Sequence, residues 1–387
     1  MEAIDTAQSD KLTFDPVTGT TTPIYVPRRG DSAPLQVGKG YFWIQIRGAQ
    51  VYYRGSVIEQ LRSLMVASQV RINHPALGDG GLRAIQKVKE IRRDQAEQLG
   101  LAPNLIDLVP AVMTHITVSI DFIVDTKNRL RQFSAVIGND LSAVISLVPE
   151  AAAVAKVINT LAQKLIQSLL PDEQRKPVLQ FTGDFNLPAG RMRPGYHVIL
   201  GTRDAHAALP TPLPKIEVRD GFLFLGGRQV TDLSYVILEI HTTDVRTREL
   251  NAGARWDAKL REAEDAARWA AREPGEPGKA SRKHAWGQCK GLLREARGLL
   301  FADPNYLTGE AEDIYLASYN LCKSELFFTN GQRGPVPPQP YEAAWQPDEQ
   351  EDRLMLGIGL DVDIPARLRE YDQRVAAAKQ RYAEHNR

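Results

Sequence analysis

From Val112 to Val124, Val112, Ile116, Val118, Ile120, Phe122 and Val124 hold one parity, and Thr117, Ser119 and Asp121 hold the other. Successive side chains of a strand point to opposite faces, so this run predicts a strand with one buried and one wet face. Strands of parallel sheets are covered on both faces and read as unbroken apolar runs, so the alternation points to an antiparallel sheet. Further strand signals follow the same logic. In Tyr41–Arg47, Phe42, Ile44 and Ile46 alternate with Trp43, Gln45 and Arg47. Gly48-Ala49 reads as a turn into Gln50–Tyr53, and the proline-flanked Ile24-Tyr25-Val26 as a short edge strand. Strand patterns recur at Val178–Phe181, Tyr196–Leu200, Ile216–Arg219, Phe222–Leu225 and Ser234–His241. Asp220-Gly221 predicts a two-residue hairpin turn, because both central residues of that turn need positive φ. Gly226-Gly227 predicts the next turn.

Helical signals interrupt and follow these strands. Ser56 and Glu59 form a capping box ahead of Val57, Leu61 and Leu64, which predicts a helix there. A second helix is expected from Leu82 to Leu99, closed by Gly100. From Ser134 to Leu170, Val154, Ile158, Leu161, Leu165 and Leu169 recur at helical spacing. After Thr247 the chain reads as helices over Arg255–Arg272, Ser281–Leu300, Glu310–Phe327 and Pro365–His385. The expected class is α+β: an antiparallel β-sandwich, C2-like or jelly-roll-like, with inserted helices, followed by a charged helical region. Its expected divisions are an arm over 1–36, a sandwich over 37–247 with helical insertions near 56–99 and 134–170, and a helical region over 248–387. That last region is divided by a linker at 273–280, holding two prolines and two glycines, and by a proline-rich connector at 335–347.

Composition bounds the chemistry. The formal net charge of +1 provides no global attraction for nucleic acid or an anionic membrane. Cys289 and Cys322 are too few for a disulfide framework, and neither sits in a CxxC pair. The amino terminus lacks the apolar run of a signal peptide, and no stretch reaches about 18 uninterrupted apolar residues, so the chain is expected to be cytoplasmic. The seven histidines form neither H-x-H nor H-E-x-x-H, and those on predicted strands, His115, His197 and His241, are expected to be hydrogen-bonded structural groups. Acids near strand ends, among them Asp121, Asp184 and Asp244, occur singly rather than in the close sets calcium requires. Gly78–Gly81 precedes a basic run but lacks G-K-[ST] and a leading strand, so it is no P-loop. His284 and Cys289 diverge around a helix, and no G-x-S-x-G elbow is present. These observations imply no catalytic residue, no metal ligand and no cofactor. Arg29-Gly30-Asp31 is read as a loop.

Charge is uneven along the helical region. Lys279, Arg282, Lys283, Lys290, Arg294 and Arg297 face a single acid, Glu295, over their span. From Asp303 to Asp363 twelve acids stand against Lys323, Arg333 and Arg353. The two runs are expected to face each other or solvent, and Lys290, Arg294 and Arg297 form a candidate partner-binding face. With Trp286 as a stacking platform the same residues would serve nucleic acid, but the pattern matches no binding module. Arg272, Lys279, Arg282 and Lys283 flank the linker and are the expected sites of first proteolytic cleavage.

Tyr196–Gly201, Phe222–Gly227 and Ser234–Ile240 together resemble bacterial C2-like sandwich proteins that accompany caspase-type proteases in defence and signalling systems. The resemblance covers about Val178–His241 and carries no catalytic residue. It implies a non-enzymatic protein held by, or cut by, a protease partner. Two other classes stand beside this reading. One is a membrane-associating or pore-forming effector using residues 133–170, and the other is a hydrolase with an unrecognised site.

Overall fold

The computed structural model describes residues 24–27, 34–52, 61–72, 82–92, 95–101, 104–112, 115–125, 175–186, 192–200, 215–246, 248, 254–272, 275–327 and 363–385. The chain divides into two compact units, Met1–Thr242 and Thr243–Arg387. The expected helical insert over 134–170, the capping box at Ser56 and Glu59, Gly78–Gly81 and the connector at 335–347 lie outside the described residues.

In the first unit the described strands are β1 (Ile24–Val26), β2 (Tyr41–Tyr52), β3 (Leu61–Ile72), β4 (Leu82–Arg92), β5 (Ala96–Gln98), β6 (Asn104–Pro110), β7 (His115–Asp125), β8 (Arg175–Asn186), β9 (Gly195–Leu200), β10 (Ile216–Arg219), β11 (Phe222–Leu225), β12 (Arg228–Gln229) and β13 (Tyr235–Thr243). They form three sheets: β4-β3-β7-β8, then β1-β9-β13-β2-β5 with β6 also on β2, and the small β10-β11-β12. The registered pairs are antiparallel. The protein is therefore a mixed α and β chain with antiparallel sheets.

The alternating run places β7 between β3 and β8, with Ile116, Val118, Ile120 and Phe122 buried and Thr117, Ser119 and Asp121 half-buried. Val112 is not part of this strand; it sits in the preceding turn, exposed. One apolar core gathers residues from both larger sheets: Leu64, Val66 and Val70 of β3 and the β7 set, with Phe42, Ile44 and Ile46 of β2 and Val236, Leu238 and Ile240 of β13. The opposite face of β9 and β13 buries Val198, Leu200, Tyr235 and Ile237 against Leu223 of the small sheet.

Two expected helices are strands. Leu61 and Leu64 belong to β3, and Leu82–Arg92 is β4. The cause in β4 is a bulge. Ile85 and Val88, three apart, pair with Ala67 and Met65, two apart on the smooth strand. An extra residue thus converts a period of two into the three-residue spacing of a helix. Pairing along the whole of β3 then outweighs local helix propensity.

Gly48-Ala49 is likewise no turn, for β2 runs straight through it. The core parity shifts there by one residue, from Phe42, Ile44 and Ile46 to Ala49 and Val51. Gly48 is required by a close approach: an added Cβ would lie 2.8 Å from the carbonyl carbon of Gly221 and closer still to its oxygen. Gly221 belongs to the predicted hairpin, where Asp220 (φ 52°) and Gly221 (φ 78°) take the positive values that the turn demands. Gly48→Ala must push two backbones apart and is expected to lower stability by about 2 kcal/mol, read from urea unfolding. A melting temperature equal to that of the unmodified protein would refute the contact.

A buried polar network ties this corner together. Gln50 Nε2 donates to the carbonyls of Val230 (3.2 Å) and Leu233 (2.9 Å). Gln98 Nε2 donates to Gln50 Oε1 (2.9 Å) and to the Tyr235 hydroxyl (2.8 Å). Each buried polar atom of the network named here is matched, which fixes register as well as lowering energy.

His197 fills the structural role expected of it. It is buried between the rings of Tyr25 and Phe185, and its Nε2 donates to the Arg193 carbonyl at 2.9 Å. Burial lowers its pKa from 6.5 to about 4. The unfolded chain therefore takes up this proton first on acidification. The stability contributed by the neutral ring is complete above pH 6.5 and falls as the pH drops towards 4, by up to about 3 kcal/mol. His197→Gln is expected to flatten that part of the stability profile between pH 7 and pH 4.5, measured by urea titration. An unchanged slope would contradict it.

Candidate binding surface

The described helices of the second unit are α1 (Arg255–Ala271), α2 (Gly275–Phe301), α3 (Thr308–Phe327) and α4 (Ile364–His385). All four carry apolar residues at three- and four-residue spacing. On α2 these are Ala285, Cys289, Leu293, Ala296 and Leu300; on α4 they are Ile364, Leu368, Tyr371, Val375 and Ala378. These stripes meet in one core in which α1 packs on α2 and α3, and α3 packs on α4.

Acids stand on the core stripe of α1. Asp257 and Glu264 share that stripe with Leu260, Ala263 and Ala267 and are buried. Arg248 answers both, with Nε 2.5 Å from Asp257 Oδ1 and Nη1 2.7 Å from Glu264 Oε1. Ser318 of α3 donates to Glu264 Oε1 at 2.8 Å, and Arg261 reaches Asp257 Oδ2 at 2.8 Å. The two carboxylates raise the pKa of Arg248 even though burial opposes the charge. A second clamp holds α4 to α3: Arg367 Nε lies 2.5 Å from Asp313 Oδ1 and its Nη2 2.9 Å from Glu312, while Arg374 lies 3.4 Å from Asp313 Oδ2. Neither clamp follows from the charge count of the region, although acids at core positions of a helical stripe are the legible sign of one.

The candidate basic face lies on α2. Lys290, Arg294 and Arg297 follow at four and three residues and form one stripe along the helix. Arg294 is exposed, and the other two are half-buried because their chains lie on aromatic rings. Lys290 Nζ is 6.0 Å from the Trp286 ring centroid, and Arg297 is 5.2 Å from that of Phe301 and 5.9 Å from that of Tyr315. The single acid of the stretch, Glu295, is engaged by Lys259 at 3.2 Å. Three glycines on α2, Gly287, Gly291 and Gly298, open onto empty space. Acids of α3 pair with α4, as the second clamp shows.

Other expectations for this region change. Trp286 is no stacking platform: it is buried against Tyr319 and Phe327, with ring centroids 5.5 and 5.3 Å away. The linker expected at 273–280 is largely helix, because α2 begins at Gly275. Pro277 fits there, since the N–H it lacks would be unbonded in a first turn. Of the four residues assigned to first cleavage, Arg272 caps α1 and is exposed, while Lys279, Arg282 and Lys283 are on α2. Arg282 is buried.

His284 and Cys289 do diverge. His284 is exposed and meets Gln288 at 3.2 Å, whereas Cys289 is buried and donates to the Ala263 carbonyl at 3.2 Å. In the first unit, His241 and Glu239 are buried together, His241 stacked on Trp43 at 4.7 Å and its Nε2 3.4 Å from Glu239 Oε2. Arg47 Nε approaches the same carboxylate at 3.7 Å. Among the described residues no helix is long and apolar enough to cross a membrane, and no group of three or more His, Cys, Asp or Glu side chains is gathered for a metal ion. No protein-family model matches the chain, and no curated protein matches its sequence.

Proposed function

We propose that this chain is a non-enzymatic binding or regulatory protein that presents the basic face of α2 to an acidic protein surface. The charge arrangement of that face carries the reading. Lys290, Arg294 and Arg297 share one stripe, and Glu295, the acid between Arg294 and Arg297 in the sequence, is engaged by Lys259 of α1. The core shared by the two larger sheets supports a C2-like or jelly-roll-like sandwich in the first unit. The three strand-rich runs that resemble C2-like companions of caspase-type proteases support a protease as the partner, in a bacterial defence or signalling system. Free thiols at Cys289 and Cys322 agree with a cytoplasmic setting. Exposed Arg272, at the junction of α1 and α2, is the cleavage point in this reading.

The test compares tagged wild-type protein with Lys290→Glu/Arg294→Glu in capture from extracts of the producing cell. The expected result is a protein bound at low salt, eluted by high salt and lost in the variant, with both chains melting at the same temperature. Identical captures by the two would remove α2 as the binding surface.

A further inference from the structure

We propose that the basic face of α2 holds a phosphate-binding site, built from Arg294, Arg297 and the Tyr315 hydroxyl of α3, for a phosphorylated side chain of the partner. The site rests on the reading of that face as the binding surface, and it names the group recognised there. Two atoms carry it. Tyr315 is 1% exposed, and its hydroxyl is buried with no hydrogen-bond partner among the described residues. Arg297 Nε is likewise buried and unpartnered. The two residues stand on helices that pack together, and the Arg297 guanidinium carbon lies 5.9 Å from the centre of the Tyr315 ring. Buried polar atoms in folded proteins are nearly always matched, so two unmatched ones at a single place on the surface helix point to a ligand.

The chemistry of the donors selects the ligand. A guanidinium offers only donors, and the phenol proton needs an acceptor as well, so an anion rich in oxygen completes both. Burial raises the pKa of the Tyr315 phenol while Arg297 and Arg294 act in the opposite sense, so near neutral pH the hydroxyl keeps its proton and donates. Arg294 precedes Arg297 by three residues on the same face and is exposed. A carboxylate brings one charge and two oxygens. A phosphomonoester brings about two charges and three terminal oxygens, one for the hydroxyl and one for each guanidinium. Entry is from the solvent side of α2. Arg297 is half-buried and rests on two rings, those of Tyr315 and of Phe301 at 5.2 Å. Phe301 is 37% exposed, and Gly298, next to Arg297, opens onto empty space. Rotation of the Arg297 side chain off these rings is the movement that admits the anion, with no separation of the helices.

The experiment titrates the full chain with inorganic phosphate at constant ionic strength, balanced with sodium chloride. Phosphorus NMR reads binding, and the helical dichroism signal reads the melting temperature. The expected result is saturable binding of one phosphate per chain, with a rise in melting temperature that saturates with it. Tyr315→Phe removes an unmatched hydroxyl, so without phosphate it should melt at or above the wild-type temperature, yet bind phosphate about tenfold or more weakly. Arg297→Gln, at a half-buried position, should lose saturable binding and serves if Tyr315→Phe fails to fold. A short peptide bearing one phosphoserine should displace the phosphate, and the same peptide with glutamate in that place should not. A response that never saturates, equal affinity in wild type and Tyr315→Phe, or equal displacement by the glutamate peptide would each overturn the proposal. Tyr315→Phe leaves the charged stripe intact. Partner capture that survives in it unweakened would therefore overturn this site alone, while capture that survives Lys290→Glu/Arg294→Glu would remove the α2 surface itself.

Discussion

Val118→Asp is expected to prevent the β unit from folding. Val118 is fully buried near the middle of β7, with Val70 of β3 on one side and Gly183 of β8 on the other. The register places no cation beside the new carboxylate in either pair. An unpaired charge in such a place costs several kcal/mol, comparable with the whole stability of a domain. Val118→Ala is the size control, with an expected loss of about 1–2 kcal/mol. Far-ultraviolet dichroism during heating reads both, the strand signal disappearing in the Asp variant while the helical signal persists. A wild-type melting temperature for Val118→Asp would show that β7 is not a core strand.

Arg248→Met is expected to cost the helical unit about 3–5 kcal/mol, the range measured when one partner of a buried ion pair is removed. The loss comes less from a missing attraction than from what remains, since Asp257 and Glu264 would be left buried without the cation that bridges them. Arg261 and Arg268 approach the same acids from exposed positions and offset part of it. Adding Glu264→Gln to Arg248→Met should therefore recover stability, although Glu264→Gln alone reduces it. Urea unfolding of the four proteins closes the cycle. A loss below about 0.5 kcal/mol for Arg248→Met would mean that both acids are effectively solvated.

Some elements are legible locally because a short stretch contains its own cause. The alternation around Val118, the Asp220-Gly221 turn and the three- and four-residue stripes of α1 to α4 each state a geometry without outside help. The stripe of Lys290, Arg294 and Arg297 is of the same kind, because positions on one helix face follow from helical periodicity alone.

Where the expectation changed, a distant residue decided. The spacing of Ile85 and Val88 suits a helix, and it becomes strand only because Ala67 and Met65 stand opposite with one residue fewer. Gly48 reads as a turn residue until Gly221 is brought against it. Trp286 looks available on an isolated helix and is covered once Tyr319 and Phe327 pack on it. The acids Asp257 and Glu264 acquire their meaning from Arg248 and Ser318. Periodicity and turn chemistry act over a few residues and are written in the sequence by itself. Bulges, close backbone approaches and buried ion pairs depend on which far segment arrives opposite, and only the tertiary structure decides that.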